Sequence, residues 1–262
     1  MVTPLAHDLY LSDRLDARWR EDYVYIGRTS ALSFAAVLER HQAPRGGRLL
    51  DVGCGSGIVA LSLAGRFEIV EGTDIVPRCL DYAKLNAAIH PFGGRCRFYE
   101  SDLFARVLGE FDVIVSNPPC GWFDPAAESG QIFSSGGAEF GTEIPSRVLE
   151  QAYDRLAPGG LICCTVTCPV FGRRPFIDEL IGQVFAERPA DVTVYPLFSE
   201  FSYRRARSYR RVGISRVVRY LVVATPARQL SVRRQHYDRL RHACYTARSW
   251  APRLVARVSQ TQ

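Results

Sequence analysis

Lysine is almost missing from this chain: Lys84 is the only one, and every other basic side chain is Arg. Acids are almost missing from its last quarter. Residues 201–262 hold 15 Arg and a single acid, Asp238, a net charge of +14, while residues 1–200 hold 18 basic and 26 acidic residues, a net charge of −8. Coding bias explains Arg in place of Lys, but not the loss of Asp and Glu. A split of this size points to an anionic partner for the C-terminal quarter, namely RNA, a phosphorylated substrate or an acidic carrier. The competing reading is an Arg-rich surface salt-bridged to the acidic front part.

Other absences narrow the class. No apolar run approaches the roughly 20 residues of a membrane span, so no membrane partner is expected. The start shows no apolar stretch behind basic residues, so no secretory leader is expected. The eight Cys form no CxxC pair, and the five His have no ligand spacing. Buried free thiols, a reducing cytoplasmic setting and no metal follow from this.

What is present is an alternation of strands and helices from about residue 46. Strands are expected at Arg48–Val52, Glu68–Ile75, Cys96–Glu100, Phe111–Ser116, Leu161–Thr167, Val192–Leu197 and Val217–Ala224. Helices are expected at Ile58–Ala64, Arg78–Ile89, Ser146–Leu156 and Phe176–Phe185, the third stopped by Pro158-Gly-Gly160. Continuous apolar strands separated by helices make an α/β fold with a parallel sheet covered on both faces. The last two strands have no helix between them and should pair antiparallel at one edge. The first 45 residues read as mostly helical, with a helix at Ala31–Arg40, and residues 121–145 as a long Gly/Ser-rich loop. The stretch 228–258 reads as a basic amphipathic helix or helix pair. Three units follow: a helical cap at 1–45, a central domain at 46–226 and a basic helical extension at 227–262.

The most specific signal for a ligand is Asp51-Val-Gly-Cys-Gly-Ser-Gly57, which follows a strand and opens a helix. Glycines let the backbone approach a ligand, and a helix start offers unpaired N–H groups. A dinucleotide site wants G-x-G-x-x-G around a pyrophosphate. Here the spacing is G-x-G-x-G, and Asp51 before it would repel a pyrophosphate but accept from an ammonium group. Asp74 ends the next strand, where a carboxylate can take two ribose hydroxyls. Asp102 follows the third strand, placed for an adenine amino group.

This set resembles the class I S-adenosylmethionine-dependent methyltransferases over roughly residues 22–225. The resemblance implies a Rossmann-like seven-stranded sheet with helices on both faces, mostly parallel with an antiparallel edge pair. It implies S-adenosylmethionine as cofactor. Asp51, Gly53, Cys54 and Gly55 would line its methionine part, Asp74 its ribose, and Ile75, Asp102 and Leu103 its adenine.

Asn117-Pro-Pro-Cys120 closes the Phe111–Ser116 strand. Proline fixes φ and restricts the residue before it, so this turn is stiff. Two fixed acceptors, Asn117 Oδ1 and the Pro118 carbonyl, would take both N–H groups of a planar nitrogen and turn its lone pair toward a methyl donor. Asn-Pro-Pro-aromatic here resembles N-methyltransferases of planar nitrogens: release-factor glutamine, adenine-N6 and rRNA guanine-N2 enzymes. The resemblance extends to Tyr25-Ile-Gly-Arg28, which would close over the methionine end of the cofactor, and to Gly136–Gly141 as a substrate loop. Asn117, Pro118 and Pro119 are thus the candidate catalytic turn, with Asn117 also touching the cofactor. Cys120 stands where the family carries an aromatic plate, so Trp122 or Phe123 would have to supply a ring. Tyr203, in the Arg-rich stretch Ser202–Arg219, joins them as a candidate substrate contact.

These residues favour N-methylation of an amide, amino or ring nitrogen, with a small molecule as the preferred acceptor because no recognition domain is evident. Protein glutamine and rRNA remain alternatives. So does other sulfonium chemistry on the same fold, either transfer to O, C or S or cyclisation of the cofactor. A non-catalytic binding module is the third reading.

Overall fold

The computed structural model describes residues 1–5, 8–13, 24, 28–120, 140–200 and 210–236. The chain opens with β1 (Val2–Leu5) and β2 (Asp8–Leu11), then α1 (Arg28–Arg40), β3 (Arg48–Val52) and α2 (Ile58–Leu63). Next come β4 (Ile69–Asp74), α3 (Pro77–Ile89), β5 (Cys96–Glu100), β6 (Phe111–Ser116) and α4 (Glu143–Tyr153). The last part holds β7 (Leu156–Phe171), β8 (Arg174–Pro175), α5 (Ile177–Val184), β9 (Ala190–Glu200), β10 (Ile214–Pro226) and β11 (Ser231–Arg234).

The main sheet runs β11-β9-β10-β7-β6-β3-β4-β5, with β8 pairing β7, which makes nine strands. Strands β3 to β7 are mutually parallel, and β10 is inserted antiparallel between β7 and β9. Alternation along the strands splits the interior into two cores. Leu49, Val113, Val115 and Cys163 face α1, α2 and α3, while Leu50, Ile114, Ile162 and Cys164 face α4 and α5. Two buried faces explain why these strands read as unbroken apolar runs. The expected Rossmann-like architecture is therefore present, with β8 and β11 added to the seven strands foreseen.

Four local expectations are corrected. The first residues form a β-hairpin, with Leu5 opposite Asp8, where a mostly helical cap was expected. Asn86 of α3 holds this hairpin by accepting from Leu11 N at 2.6 Å and donating to Leu11 O at 3.0 Å. Such a partner lies 75 residues away and leaves no local signal. Pro158 and the glycines after it lie inside β7, because α4 has already ended at Tyr153. The β9–β10 pair is antiparallel as foreseen, but β11 covers its outer side by pairing parallel with β9. Residues 231–234 are thus strand rather than the start of a basic helix, and residues 237–258 lie outside the described ones.

Candidate active site

The order β5-β4-β3-β6-β7 reverses between β3 and β6, and ligands in open α/β sheets bind at such a switch point, beyond the carboxyl ends of the strands. The two motifs stand there side by side. Val52 pairs with Ser116, so Gly53 and Asn117 leave the sheet at one level on adjacent strands. Ser116 Oγ donates to Val52 O at 2.7 Å and stitches the two exits together.

The glycine loop has the shape of a cradle. Gly53, Gly55 and Gly57 sit at φ +70, +54 and +75, which L side chains rarely adopt. A Cβ added at Gly53 would meet nothing within 4 Å, so open space lies in front of this backbone. At Gly57 the same atom would come within 3.1 Å of Ala83 and Phe98, so that glycine serves packing. The loop is tied to β4 twice. Cys54 N donates to Thr73 O at 2.8 Å, and Gly55 N donates to Asp74 Oδ2, also at 2.8 Å.

Asp51 is buried, and one oxygen accepts from Ala60 N at 3.0 Å. Burial pushes its pKa from 3.8 up to about 7; the Ala60 hydrogen bond offsets part of this and the charge of Asp74 adds to it. Asp74 accepts from Gly55 N through one oxygen and from Val76 N, at 2.9 Å, through the other. Burial raises its pKa too, against those backbone bonds. The Ile75 N–H also bonds this carboxylate, which leaves one of its four lone-pair sites for a ribose hydroxyl. Ile75, next in the chain, is 60% exposed although apolar, and offers a shelf for a flat ring. Asp102 is exposed, 4.0 Å from Arg147, and Leu103 holds φ +46, a strained value for a non-glycine residue.

These residues fit S-adenosylmethionine. A buried carboxyl whose ionisation is opposed by burial calls for a cation, and the methionine ammonium would supply one. The open space at Gly53 accommodates the chain that carries it. Asp74 and Ile75 offer the donor-accepting and apolar surfaces that a ribose and an adenine need. Cys54 is buried against this loop, and its thiol pKa is raised by burial first, so it acts as packing rather than as a nucleophile.

At Asn117 the structure adds two residues that the sequence did not single out. Ser30 Oγ of α1 donates to Asn117 Oδ1 at 2.8 Å, and Thr165 Oγ1 of β7 does so at 2.7 Å. Thr165 and Thr167 put hydroxyls at alternate positions of an otherwise apolar strand, and that alternation was the available signal. Pro118 is buried and Pro119 half-buried. Cys120 is 3% exposed and turned into the protein, with its Sγ 3.2 Å from Thr167 Oγ1 and 3.4 Å from Arg219 Nη2. Arg219 lies within β10, opposite Thr167, in the strand expected at Val217–Ala224. Tyr25, Trp122, Phe123, Tyr203 and residues 136–139 fall outside the described residues, as does the side chain of Arg28 at the start of α1. Among the described residues no cluster of His, Cys, Asp or Glu could hold a metal, all seven Cys are free, and no helix is long and apolar enough to cross a membrane.

A Rossmann-like sheet with this cradle at its switch point defines the class of S-adenosylmethionine-dependent methyltransferase domains. The chain belongs to the methyltransferase small domain family, whose sequence pattern matches residues 30–188. Among curated relatives, the release factor glutamine methyltransferase of Chlorobaculum tepidum is 41% identical over 155 residues, covering 53% of this chain and 51% of that protein. The tRNA1(Val) (adenine(37)-N6)-methyltransferase of Yersinia enterocolitica is 40% identical over 85 residues, covering 30% of this chain and 33% of that protein. A solved tRNA m1G37 methyltransferase from M. jannaschii shares the fold, with a TM-score of 0.57 and 13% identity over 86% of this chain and 54% of that one. The chain spans 33–58% of the length of the first relatives it matches.

Proposed function

We propose that the chain transfers the methyl group of S-adenosylmethionine to a planar nitrogen, of amide or base type, in a macromolecular acceptor. The observation that carries this reading is the register of β3 with β6, which sets the Asn117-Pro118 turn directly beside the Gly53 cradle. The relatives support the macromolecule. They are named for glutamine in release factors and for adenine in tRNA. The small-molecule acceptor favoured from the sequence finds no counterpart among them.

S-adenosylmethionine, when bound, supplies a methyl group already activated by a positive sulfur. The protein must then aim a nitrogen lone pair at it, and positioning of this kind accounts for much of the barrier lowering. Asn117 and the Pro118 carbonyl are the candidates for holding the two N–H groups. With Ser30 and Thr165 both donating to Oδ1, its two lone pairs are taken. Hydroxyls accept as readily as they donate. Turning the carboxamide over gives Nδ2 to the two hydroxyls and frees Oδ1 for the incoming nitrogen. No base is needed before transfer, because the proton can leave for water afterwards.

Tritiated S-adenosylmethionine incubated with the protein and with release factor, tRNA or total RNA tests this. Label on a glutamine or base nitrogen, lost in Asn117→Ala, is expected. Label found only on oxygen, carbon or sulfur, or an unchanged rate in Asn117→Ala, would sink the nitrogen reading.

A further inference from the structure

One end of the sheet extends well past the acceptor turn. The pairing of β6 with β7 ends at Ser116–Cys164, yet β7 continues to Phe171. Those seven further residues add about 23 Å at the usual strand rise. β10 stays paired with β7 out to Ile214–Phe171, and β8 joins on the other side through Phe171–Arg174. β9 flanks β10 as far as Val217–Glu200, so the extension has three strands, β7-β10-β9 at its base and β8-β7-β10 at its tip.

Basic residues dominate it, while the flanking β9 brings one acid, Glu200, opposite Val217. Arg173, Arg174, Arg210, Arg211 and Arg216 are all exposed on the ribbon or on the turn that leads into it. Arg219 lies at its base, with Nε 3.3 Å from Thr167 Oγ1 and Nη2 3.4 Å from Cys120 Sγ. Neither 161–177 nor 210–226 contains an Asp or Glu. The next acids along the chain are Asp178 and Glu179 in the first turn of α5, and Asp178 is already paired with Arg234. Among the described residues, no carboxylate pairs with Arg173, Arg174, Arg210, Arg211 or Arg216. The described salt bridges of other arginines, such as Arg48–Glu71 and Arg188–Asp154, show that this fold pairs Arg where pairing serves stability.

Five exposed arginines with no carboxylate partner among the described residues, on an extension that begins beside the acceptor turn and runs outward, match a linear polyanion better than a globular acidic surface, whose charges are dispersed and mixed with apolar contacts. Arg presents a planar fork that binds phosphate in two places at once. Contacts of this kind fix register along a strand without reading its sequence. We infer that the β7–β8–β10 ribbon is a docking surface for the phosphodiester backbone of a nucleic acid, which it leads to the Asn117 turn. The inference rests on the methyltransferase reading above for what happens at that turn, and it makes the acceptor a base nitrogen.

Binding is measured without any methyl transfer, by fluorescence anisotropy of a labelled 20-nucleotide single-stranded RNA and a DNA of the same sequence, over a salt series. Wild-type protein saturated with S-adenosylhomocysteine should bind at least one of them with a strong salt dependence. Arg173→Gln/Arg174→Gln and Arg210→Gln/Arg211→Gln should each weaken binding about tenfold or more. Each should also flatten the slope of log affinity against log salt by about one to two, as expected for one or two lost phosphate contacts. Arg95→Gln/Arg97→Gln, at the β5 edge, should bind as wild type. Unchanged affinity for S-adenosylhomocysteine shows that the ribbon variants are folded. The inference is overturned if the ribbon variants bind like wild type. It is equally overturned if wild type ignores both oligonucleotides, including the case in which it binds a release factor instead. Ribbon-dependent binding without methylation of any RNA, DNA or release factor would keep the surface and refute the catalytic reading, so the two fail separately.

Discussion

Thr165 donates its hydroxyl to Asn117 Oδ1 at 2.7 Å, from a strand position that is fully buried. With Ser30 Oγ on the same oxygen, it anchors the carboxamide in place. A hydroxyl pair can hold either end of the amide, whereas apolar replacements hold neither. Thr165→Val and Ser30→Ala should therefore each lower the methyl-transfer rate constant about tenfold, the worth of one net hydrogen bond of about 1–1.5 kcal/mol. Cofactor affinity should stay within about twofold, since neither hydroxyl lies on the glycine loop. Thr165→Ser should recover most of the rate. Single-turnover kinetics with calorimetric cofactor binding would separate the two effects; equal losses in both would reduce the hydroxyls to a structural role.

Asp51 predicts a pH dependence. Its folded-state pKa, about 7, stands above the ordinary 3.8, so the empty site favours the protonated carboxyl. Folding stability from this group is full below pH 4 and falls as pH rises toward 7. A cationic ligand needs the ionised form, so cofactor affinity should rise with pH, about tenfold per unit, and level off near pH 7. Binding below that point should release a proton, visible as a buffer-dependent enthalpy in calorimetry. Asp51→Asn should remove the slope and raise the melting temperature of the cofactor-free protein at pH 8.

We propose two duties for Asp74, and its removal should show both. Its carboxylate satisfies Gly55 N and Val76 N, which hold the cradle and the start of α3. Asp74→Ala should weaken S-adenosylhomocysteine binding about a hundredfold by combining loss of the ribose contact with a loosened loop. Asp74→Asn keeps one acceptor and should fall between the two. Near-wild-type affinity in Asp74→Ala would place the ribose elsewhere.

The sequence made some of this legible, for physical reasons. β6 appears with the expected bounds because a strand buried on both faces must be apolar almost throughout. The glycine loop was readable because left-handed φ values at Gly53, Gly55 and Gly57 demand that residue. The hairpin at Val2–Leu11 was not readable, since Asn86 in a distant helix supplies its support. Ser30 was equally hidden: its partner Asn117 lies 87 residues on, and nothing in the first turn of α1 announces the contact. The start of β10 at Ile214, ahead of the expected Val217, was hidden as well, because it is set by pairing with β7 rather than by local propensity. Long-range partners account for each of these misses, while local backbone and burial demands account for what was foreseen.

Cys120 provides the sharpest test of the catalytic turn. In the enzymes that it resembles, the fourth residue of the motif is an aromatic plate, so Cys120→Tyr looks like a repair. The structure predicts the opposite. Cys120 is 3% exposed and wedged between Thr167 Oγ1 and Arg219 Nη2, at 3.2 and 3.4 Å, so a ring has no room without moving one of them. Overpacking of this kind costs about 1–3 kcal/mol. Cys120→Tyr should therefore lower the melting temperature by several degrees and should not speed methyl transfer. Adding Arg219→Ala removes the long side chain that occupies the space, and the double variant should recover most of the lost stability. If Cys120→Tyr alone were as stable as wild type and faster, the fourth position would face the acceptor after all. The Thr167–Cys120–Arg219 cluster would then be a resting arrangement rather than the wall of the site.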